Sequence, residues 1–259
     1  MKLTINDILK IEIFASLFQN IKSMTEIINI QFSQEKMYIQ TLDSAKVSIL
    51  EIILPNTWFC EYECIIPVTL GVNTTIMYKI LSARDKTQSI NIEYNDGDGE
   101  HLFFHHKSAN DTSIFDRKFE MPLIDIDTDI MEITTTDYQV ELSISSSKFN
   151  TLISQLSKFG ESLEFNCSEN LIQLISNSTE CGSMKVEVKI EDLSSFSIEE
   201  GNDIISSFGL QYLTSICQYY KIAPEIEIKL HMENPLCIEY HLNGDGHIRF
   251  FLAPKINDN

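Results

Sequence analysis

Positive charge is what this 259-residue chain has least of: 19 Lys plus Arg stand against 38 Asp plus Glu, a formal net charge of -19. Such an excess keeps a protein soluble and repels nucleic acid, unless the cations are gathered on one surface. Long apolar runs are missing too. No stretch approaches the ~18 apolar residues of a membrane span. The opening "MKLTINDILKIEIF" has neither a continuous apolar core nor a small-residue cleavage site, so secretion and insertion are not expected. Phosphate-cradling and nucleophile motifs are absent: there is no G-x-x-x-x-G-K-[ST], no G-x-G-x-x-G and no G-x-S-x-G. Six cysteines are scattered, and only Cys60 and Cys64 are close, with no matching C/H pair elsewhere. Buried, reduced thiols are expected in preference to a zinc site.

Two further constellations carry no chemistry. "NDGDGEHLFFHH" (95–106) sets Asp96, Asp98 and Glu100 at alternate positions like a calcium loop, yet lacks Gly at its sixth place and Glu at its twelfth. A hairpin turn is the expectation. His101, His105 and His106 do not make a metal set, because on a strand His105 and His106 face opposite ways. No catalytic group, cofactor or metal is expected, and the chain does not read as an enzyme.

What is there is alternation. Segments 27–32, 36–43, 46–54, 88–94 and 101–106, then 162–167, 171–176, 184–190, 225–232, 236–242 and 247–253, are β-branched or aromatic-rich at period two. Four segments change to a 3.6-residue period. Their apolar stripes are Phe14, Leu17, Phe18, Ile21 and Met24; Val72, Ile76, Met77 and Ile80; Phe149, Leu152, Ile153, Leu156 and Phe159; and Leu210, Leu213, Ile216, Cys217 and Tyr220. Each suits a helix laying one face on a sheet. A shift of 135 places superposes Phe14 on Phe149, Ile30 on Phe165, Met37 on Ile172 and Ile39 on Leu174 without a gap. "GDGEHLFF" (97–104) and "GDGHIRFF" (244–251) read as a second match between the halves. The expectation is an α+β protein, mainly antiparallel, that uses one fold twice. Its domains are 1–120 and 138–259, joined by the acidic connector 121–137.

The acids are unevenly placed. Windows 13–25, 64–84, 142–160 and 204–224 hold no Asp or Glu, although about one residue in seven of the chain is acidic, and each window contains one predicted helix. The outward faces read Ser16, Gln19, Asn20, Lys22, Ser23; Asn73, Thr74, Lys79, Ser82, Arg84; Lys148, Asn150, Thr151, Ser154, Gln155, Lys158; and Gln211, Thr214, Gln218, Lys221. Short helices on a β scaffold can simply use neutral polar residues. The preferred reading is one surface that meets a polyanion, where carboxylates would be repelled and Ser, Asn, Gln and Lys can touch phosphate.

"LDSAKVSI" (42–49), "LGVNTTIMYKIL" (70–81), "NPLCIEY" (234–240) and above all "HIRFFLAPKI" (247–256) resemble the proliferating-cell-nuclear-antigen (PCNA) type of DNA sliding clamp, with similarity along the whole chain. The resemblance implies a clamp fold of two similar domains, each of antiparallel sheets with two inner helices. Three subunits would close into a ring around duplex DNA and act as a polymerase processivity factor. The alternative is a clamp-fold protein working as a monomer or in a hetero-oligomer. DNA-facing residues would be Lys22, Lys79, Arg84, Lys148, Lys158 and Lys221. Ala15, Thr151 and Ser154 stand where basic residues are common, which implies a loose electrostatic grip. Segments 113–121 and 182–190 would form the subunit seam. Polymerase, clamp loader, flap nuclease and ligase would dock short aromatic plugs at Leu42, Lys46, Val47, Met131, Ile133, Pro235, Phe251, Ala253 and Pro254. Asp125, Asp127 and Asp129 would attract basic residues beside the plug. Glu169 and Asn170 occupy a loop where relatives often carry a modifiable lysine. The implied location is the nucleus, or a cytoplasmic replication site if the Ile-, Asn- and Ser-rich composition marks a viral chain.

Overall fold

Strand leads into helix four times along this chain, three times with no residue between. A computed structural model describes residues 1–97, 99–108, 113–126, 130–133, 137–201 and 203–255. The first repeat contains β1 (Lys2–Ile5), α1 (Ile8–Met24), β2 (Ile27–Phe32), β3 (Lys36–Leu42), β4 (Ser48–Pro55), β5 (Glu61–Glu63), β6 (Val68–Asn73), α2 (Thr74–Ser82), β7 (Gln88–Tyr94), β8 (His101–Ser108) and β9 (Arg117–Pro122). The second contains β10 (Val140–Ser145), α3 (Ser146–Leu156), β11 (Ser162–Ser168), β12 (Leu171–Ser178), β13 (Gly182–Val188), β14 (Ser195–Ile198), β15 (Ile204–Gly209), α4 (Leu210–Cys217), β16 (Glu225–Leu230), β17 (Leu236–His241) and β18 (His247–Leu252).

Contacts divide the chain into two compact units. One holds Met1–Ser44, Glu51–Met131 and Leu242–His247; the other holds Ala45–Leu50, Glu132–His241 and Ile248–Asn259. In the first unit β5-β1-β7-β8-β9 form one sheet, and β4, β3, β2 and β6 lie side by side in that order. In the second, β14-β10-β16-β17-β18 and β13-β12-β11-β15 repeat the two arrangements strand for strand. The repeat extends to register. Ile30 pairs with Ile39 and Phe32 with Met37; 135 residues on, Phe165 pairs with Leu174 and Cys167 with Ile172. A period-two strand with one buried face fixes register, because a one-residue slip would turn every core side chain to solvent.

The GDG match does not hold. Gly97–Gly99 lie between β7 and β8, whereas Gly244–Gly246 lie between β17 and β18, which is the next connection in the repeat order. Both are turns that need positive φ, +70° at Gly99 and +80° and +61° at Gly244 and Asp245. Turn chemistry, not common position, explains the shared letters. Asp98 lies outside the described residues.

The helix stripes are buried as predicted at Phe14, Leu17, Phe18, Ile21, Met77, Ile80, Phe149, Ile153, Leu156, Leu210, Leu213, Ile216 and Cys217. Val72 belongs instead to β6. Past Cys217 the chain tightens into a 3-10 turn over Gln218–Lys221, so the core takes Tyr219, fully buried, rather than Tyr220. Tyr219 packs edge-on against Phe250 with centroids 5.0 Å apart. In the first unit Trp58, also fully buried, stands 6.3 Å from Phe14. Each fully buried side chain of this size contributes about 1.5–3 kcal/mol. All six cysteines are free; Cys64, Cys167, Cys217 and Cys237 are buried, while Cys60 and Cys181 are exposed, contrary to the expectation for those two. Burial pushes the Cys167, Cys217 and Cys237 thiols up to about 12, so they are inert. No helix among the described residues is long and apolar enough to cross a membrane.

Candidate nucleic-acid and partner surfaces

Helices α1 and α2 start on side-chain hydrogen bonds. Asp7 Oδ1 accepts from Lys10 N at 3.0 Å, and Asn73 Oδ1 accepts from Ile76 N at 3.0 Å. The first residues of α2 and α3 then lock each helix to its neighbour. Thr74 Oγ1 donates to Thr25 O (2.8 Å) beyond the end of α1. Ser146 Oγ donates to Tyr220 O (2.9 Å) and Ala223 O (2.5 Å) beyond α4. Thr74 therefore leaves the outward face on which the sequence placed it; it is fully buried.

The first turn of all four helices is free of acid, although the helix dipole favours carboxylates there. α1 begins five residues before its acid-free window and so includes the exposed Glu12. Beyond that, the exposed helix positions read Gln19, Lys22 and Ser23 in α1, Thr75, Lys79 and Ser82 in α2, Ser147, Lys148, Thr151, Ser154 and Gln155 in α3, and Gln211, Thr214 and Ser215 in α4, with Lys158 and Lys221 exposed just past α3 and α4. α1 packs beside α2 in one unit and α3 beside α4 in the other. Among the described residues, none of Lys22, Lys79, Lys148, Lys158 and Lys221 forms an ion pair. Lys22 Nζ stands 4.1 Å above the Tyr78 ring, a cation–π contact that holds the ammonium at the helix pair's surface. Arg84 differs. It is half-buried, and its Nη1 donates to Asp85 O, Lys86 O and Gln88 O at 2.8, 2.7 and 3.1 Å. That guanidinium closes the turn after α2.

A second surface is built from the start of the connector, which runs across β6, β2 and β3 in the first unit. Ile124 N donates to Gly71 O at 2.9 Å, Asn29 Nδ2 to Ile126 O at 3.1 Å and Gln40 Nε2 to Met131 O at 2.9 Å. Gln40 Oε1 accepts from Met131 N at 2.8 Å, completing a clasp. Gly71 permits this approach, since a Cβ there would stand 2.0 Å from Ile124 O. Met131 is thus held exposed, and Leu42, at the end of β3, is half-buried. Asp125 is exposed; Asp127 and Asp129 lie outside the described residues.

In the second unit Ala253 N donates to Val47 O at 3.1 Å, and Lys255 N to Ser207 O at 2.7 Å. These bonds wall a cavity of about 860 Å³ in which Val47, Ala253 and Pro254 meet Gly209 and Tyr212 from the start of α4. Phe251 is 9% exposed, with Arg249 over its ring at 5.8 Å. Lys46 and Pro235 are exposed and Ile133 half-buried. The structure thus brings three of the nine residues expected to receive partners into one cavity. It adds Tyr212, Gly209, Gln40 and Asn29, which no linear motif marks because they come from other elements.

Of the histidines, His105 reaches Asp116 at 3.3 Å, and His106 is buried with neither ring nitrogen hydrogen-bonded among the described residues. Among the described residues Glu227, Glu239 and His241 approach within 4.8 Å of one another. Lys229 Nζ already sits 3.1 and 3.5 Å from the two carboxylates. Burial works against the charge on Glu227, but hydrogen bonds from Lys229 and His241 outweigh it and hold the carboxyl below its usual range. An ammonium thus fills the position a cation would take.

Family comparison agrees with this geometry. The family model "Proliferating cell nuclear antigen, N-terminal domain" matches residues 6–130, and the C-terminal domain model matches 132–255. Proliferating cell nuclear antigen 2 of Drosophila melanogaster is 28% identical over 87% of both chains. The Saccharomyces cerevisiae proliferating cell nuclear antigen is 28% identical over 94% of this chain and 96% of its own, and that of Dictyostelium discoideum is 24% identical over 96% and 98%. With both domains matched in order on a duplicated fold, the chain belongs to the proliferating cell nuclear antigen family and is a divergent DNA sliding clamp, a processivity factor rather than an enzyme.

Proposed function

We propose that three copies of this chain close head to tail into a ring around duplex DNA, with α1 to α4 of each copy facing the phosphates. One observation carries the reading: a chain of charge -19 keeps carboxylates off the exposed faces of α2, α3 and α4 and off α1 beyond Glu12, and sets unpaired lysines there. Lys22, Lys79, Lys148, Lys158 and Lys221 contact phosphate, and Arg84 adds its field from the turn behind α2. So few cations give a weak, steeply salt-dependent grip, and ring topology holds the clamp on DNA.

Strand edges support the closure. In the second unit the Val47–Ala253 bond sets residues 45–50, which lead into β4, beside the end of β18. The repeat makes β9 the counterpart of β18, and β13 the counterpart of β4. Both β9 and β13 are terminal in their sheets, so pairing between copies satisfies two open edges at once. Phe115, 82% exposed just before β9, contributes apolar contact at that seam. Light scattering then gives three times the 29.7 kDa chain mass, and Phe115→Asp gives a folded monomer. A wild-type monomer at micromolar concentration overturns the ring in favour of a monomeric or hetero-oligomeric clamp.

Polymerase, clamp loader, flap nuclease and ligase dock short plugs on the connector side, using Leu42, Lys46, Val47, Met131, Ile133, Pro235, Phe251, Ala253 and Pro254. The apolar cavity at Val47, Ala253 and Pro254 supports this, as apolar pockets with a polar rim carry most binding energy. The clamp acts in the nucleus, or at a cytoplasmic replication site if the chain is viral.

A further inference from the structure

The most exposed aliphatic side chains of the first unit stand together in one loop. Ile65 is 71% exposed and its neighbour Ile66 75%. They lie in the loop between β5 and β6. The loop's main chain is fixed while its side chains project. Gln34 Nε2 donates to Ile65 O at 3.2 Å, the buried Cys64 thiol donates to Ile66 O at 3.3 Å, and Tyr62 Oη donates to Ser33 O and Lys36 O, both at 2.8 Å. Scattered surface apolar residues are ordinary, but a preordered apolar pair beside a cavity marks a contact surface. Such a cavity of about 490 Å³ opens here, walled by Ile65, Ile66, Pro67 and Tyr94.

The rim of that cavity is acidic. Glu63, Glu93 and Asp96 line it against the Met1 ammonium and Lys2, which leaves the rim one net negative charge. Lys2 pairs with Glu93 at 3.7 Å, which leaves Glu63 and Asp96 without an ion-pair partner among the described residues. An apolar floor under a rim with more carboxylates than cations favours a ligand with an aliphatic or aromatic side chain next to Lys or Arg. β5 is the terminal strand of its sheet, at the opposite end from β9. A contact made through β9 therefore leaves the loop uncovered.

We propose that the Ile65–Ile66 loop is a second docking site, which takes a short basic–apolar segment of a partner protein and works independently of the connector surface. The probe is a synthetic Lys-Lys-Ile-Leu-Lys-Lys peptide, titrated into full-length protein carrying labelled isoleucine δ1 methyls. The expected result is saturable NMR shifts at the Ile65 and Ile66 methyls. In Glu63→Lys/Asp96→Lys the peptide binds at least about tenfold more weakly. A Glu-Glu-Ile-Leu-Glu-Glu peptide produces no shift. Ile65→Ser/Ile66→Ser, read by shifts at the remaining isoleucines, loses binding while keeping the wild-type spectrum elsewhere. The proposal is overturned if no shift is seen at millimolar peptide, if both peptides shift the same methyls, or if the serine variant still binds. It is also overturned if the serine variant changes the mass by light scattering, because a second copy of the chain is then the occupant.

Discussion

Gly71→Ala is the sharpest single test of how the connector is held. The added Cβ would stand 2.0 Å from the Ile124 carbonyl oxygen and 3.1 Å from its carbon, so the main chain at Ile124 must retreat by about an ångström. Retreat breaks the 2.9 Å bond from Ile124 N to Gly71 O, a loss of about 0.5–1.5 kcal/mol. Forcing a methyl against backbone adds about 1–3 kcal/mol. The total is about 1.5–4.5 kcal/mol, or roughly 3–18 °C in the unfolding midpoint of a chain of this size. Thermal melts measure the total, and hydrogen exchange at the Ile124 amide locates it. The reasoning is refuted if Gly71→Ala melts within 1 °C of wild type with the Ile124 amide still protected.

Two other positions give independent tests. His106 is fully buried with neither ring nitrogen hydrogen-bonded among the described residues; burial first, then the charges of Arg84, Arg117 and His105, lower its pKa to about 4. Because the unfolded chain protonates this imidazole near 6.5, its contribution is complete above that pH. It falls by about 3 kcal/mol as the pH drops towards 4. His106→Leu should flatten stability between pH 6.5 and 4 in urea titrations; an unchanged slope there contradicts the buried neutral imidazole. Ser146→Ala removes the hydroxyl that bridges Tyr220 O and Ala223 O to α3 and should cost about 1–3 kcal/mol, whereas Ser147→Ala, at an exposed position one residue on, should be neutral within about 0.5 kcal/mol in the same melts.

Much of this architecture is written in the period of the apolar residues. β2 and β7 fall on the predicted residues, and the 135-residue shift predicts pairs that the ladders then make, because burial on one face fixes both strand and register. What escaped has a physical cause. β6, β10 and β15 run straight into α2, α3 and α4, so each short alternation is cut off by a 3.6-residue period. Val72 thus reads as part of the helix stripe it merely precedes. The 3-10 turn rotates the chain and exchanges Tyr220 for Tyr219. Composition revealed the carboxylate-free faces, but not that Arg84 is engaged by carbonyls or that Thr74 is turned inward, since hydrogen-bond partners distant in sequence leave no local pattern. The cavity at Val47 was half visible: "LAPK" marked one wall, while Gly209 and Tyr212 reach it only through the fold.

The placement of acid is the central claim, and one comparison isolates it. Two variants carry the same four added negative charges per chain at exposed positions. One is Gln19→Glu/Thr75→Glu/Thr151→Glu/Gln211→Glu, with one acid on each helix; the other is Thr57→Glu/Asn170→Glu/Thr179→Glu/Asn243→Glu, with none on α1 to α4. Fluorescence anisotropy at low salt measures affinity for a short linear duplex. The helix set should bind at least about tenfold more weakly than wild type and the other set within about twofold, because phosphate contacts dominate the affinity. Equal losses in the two variants, or no loss in the first, would contradict the account.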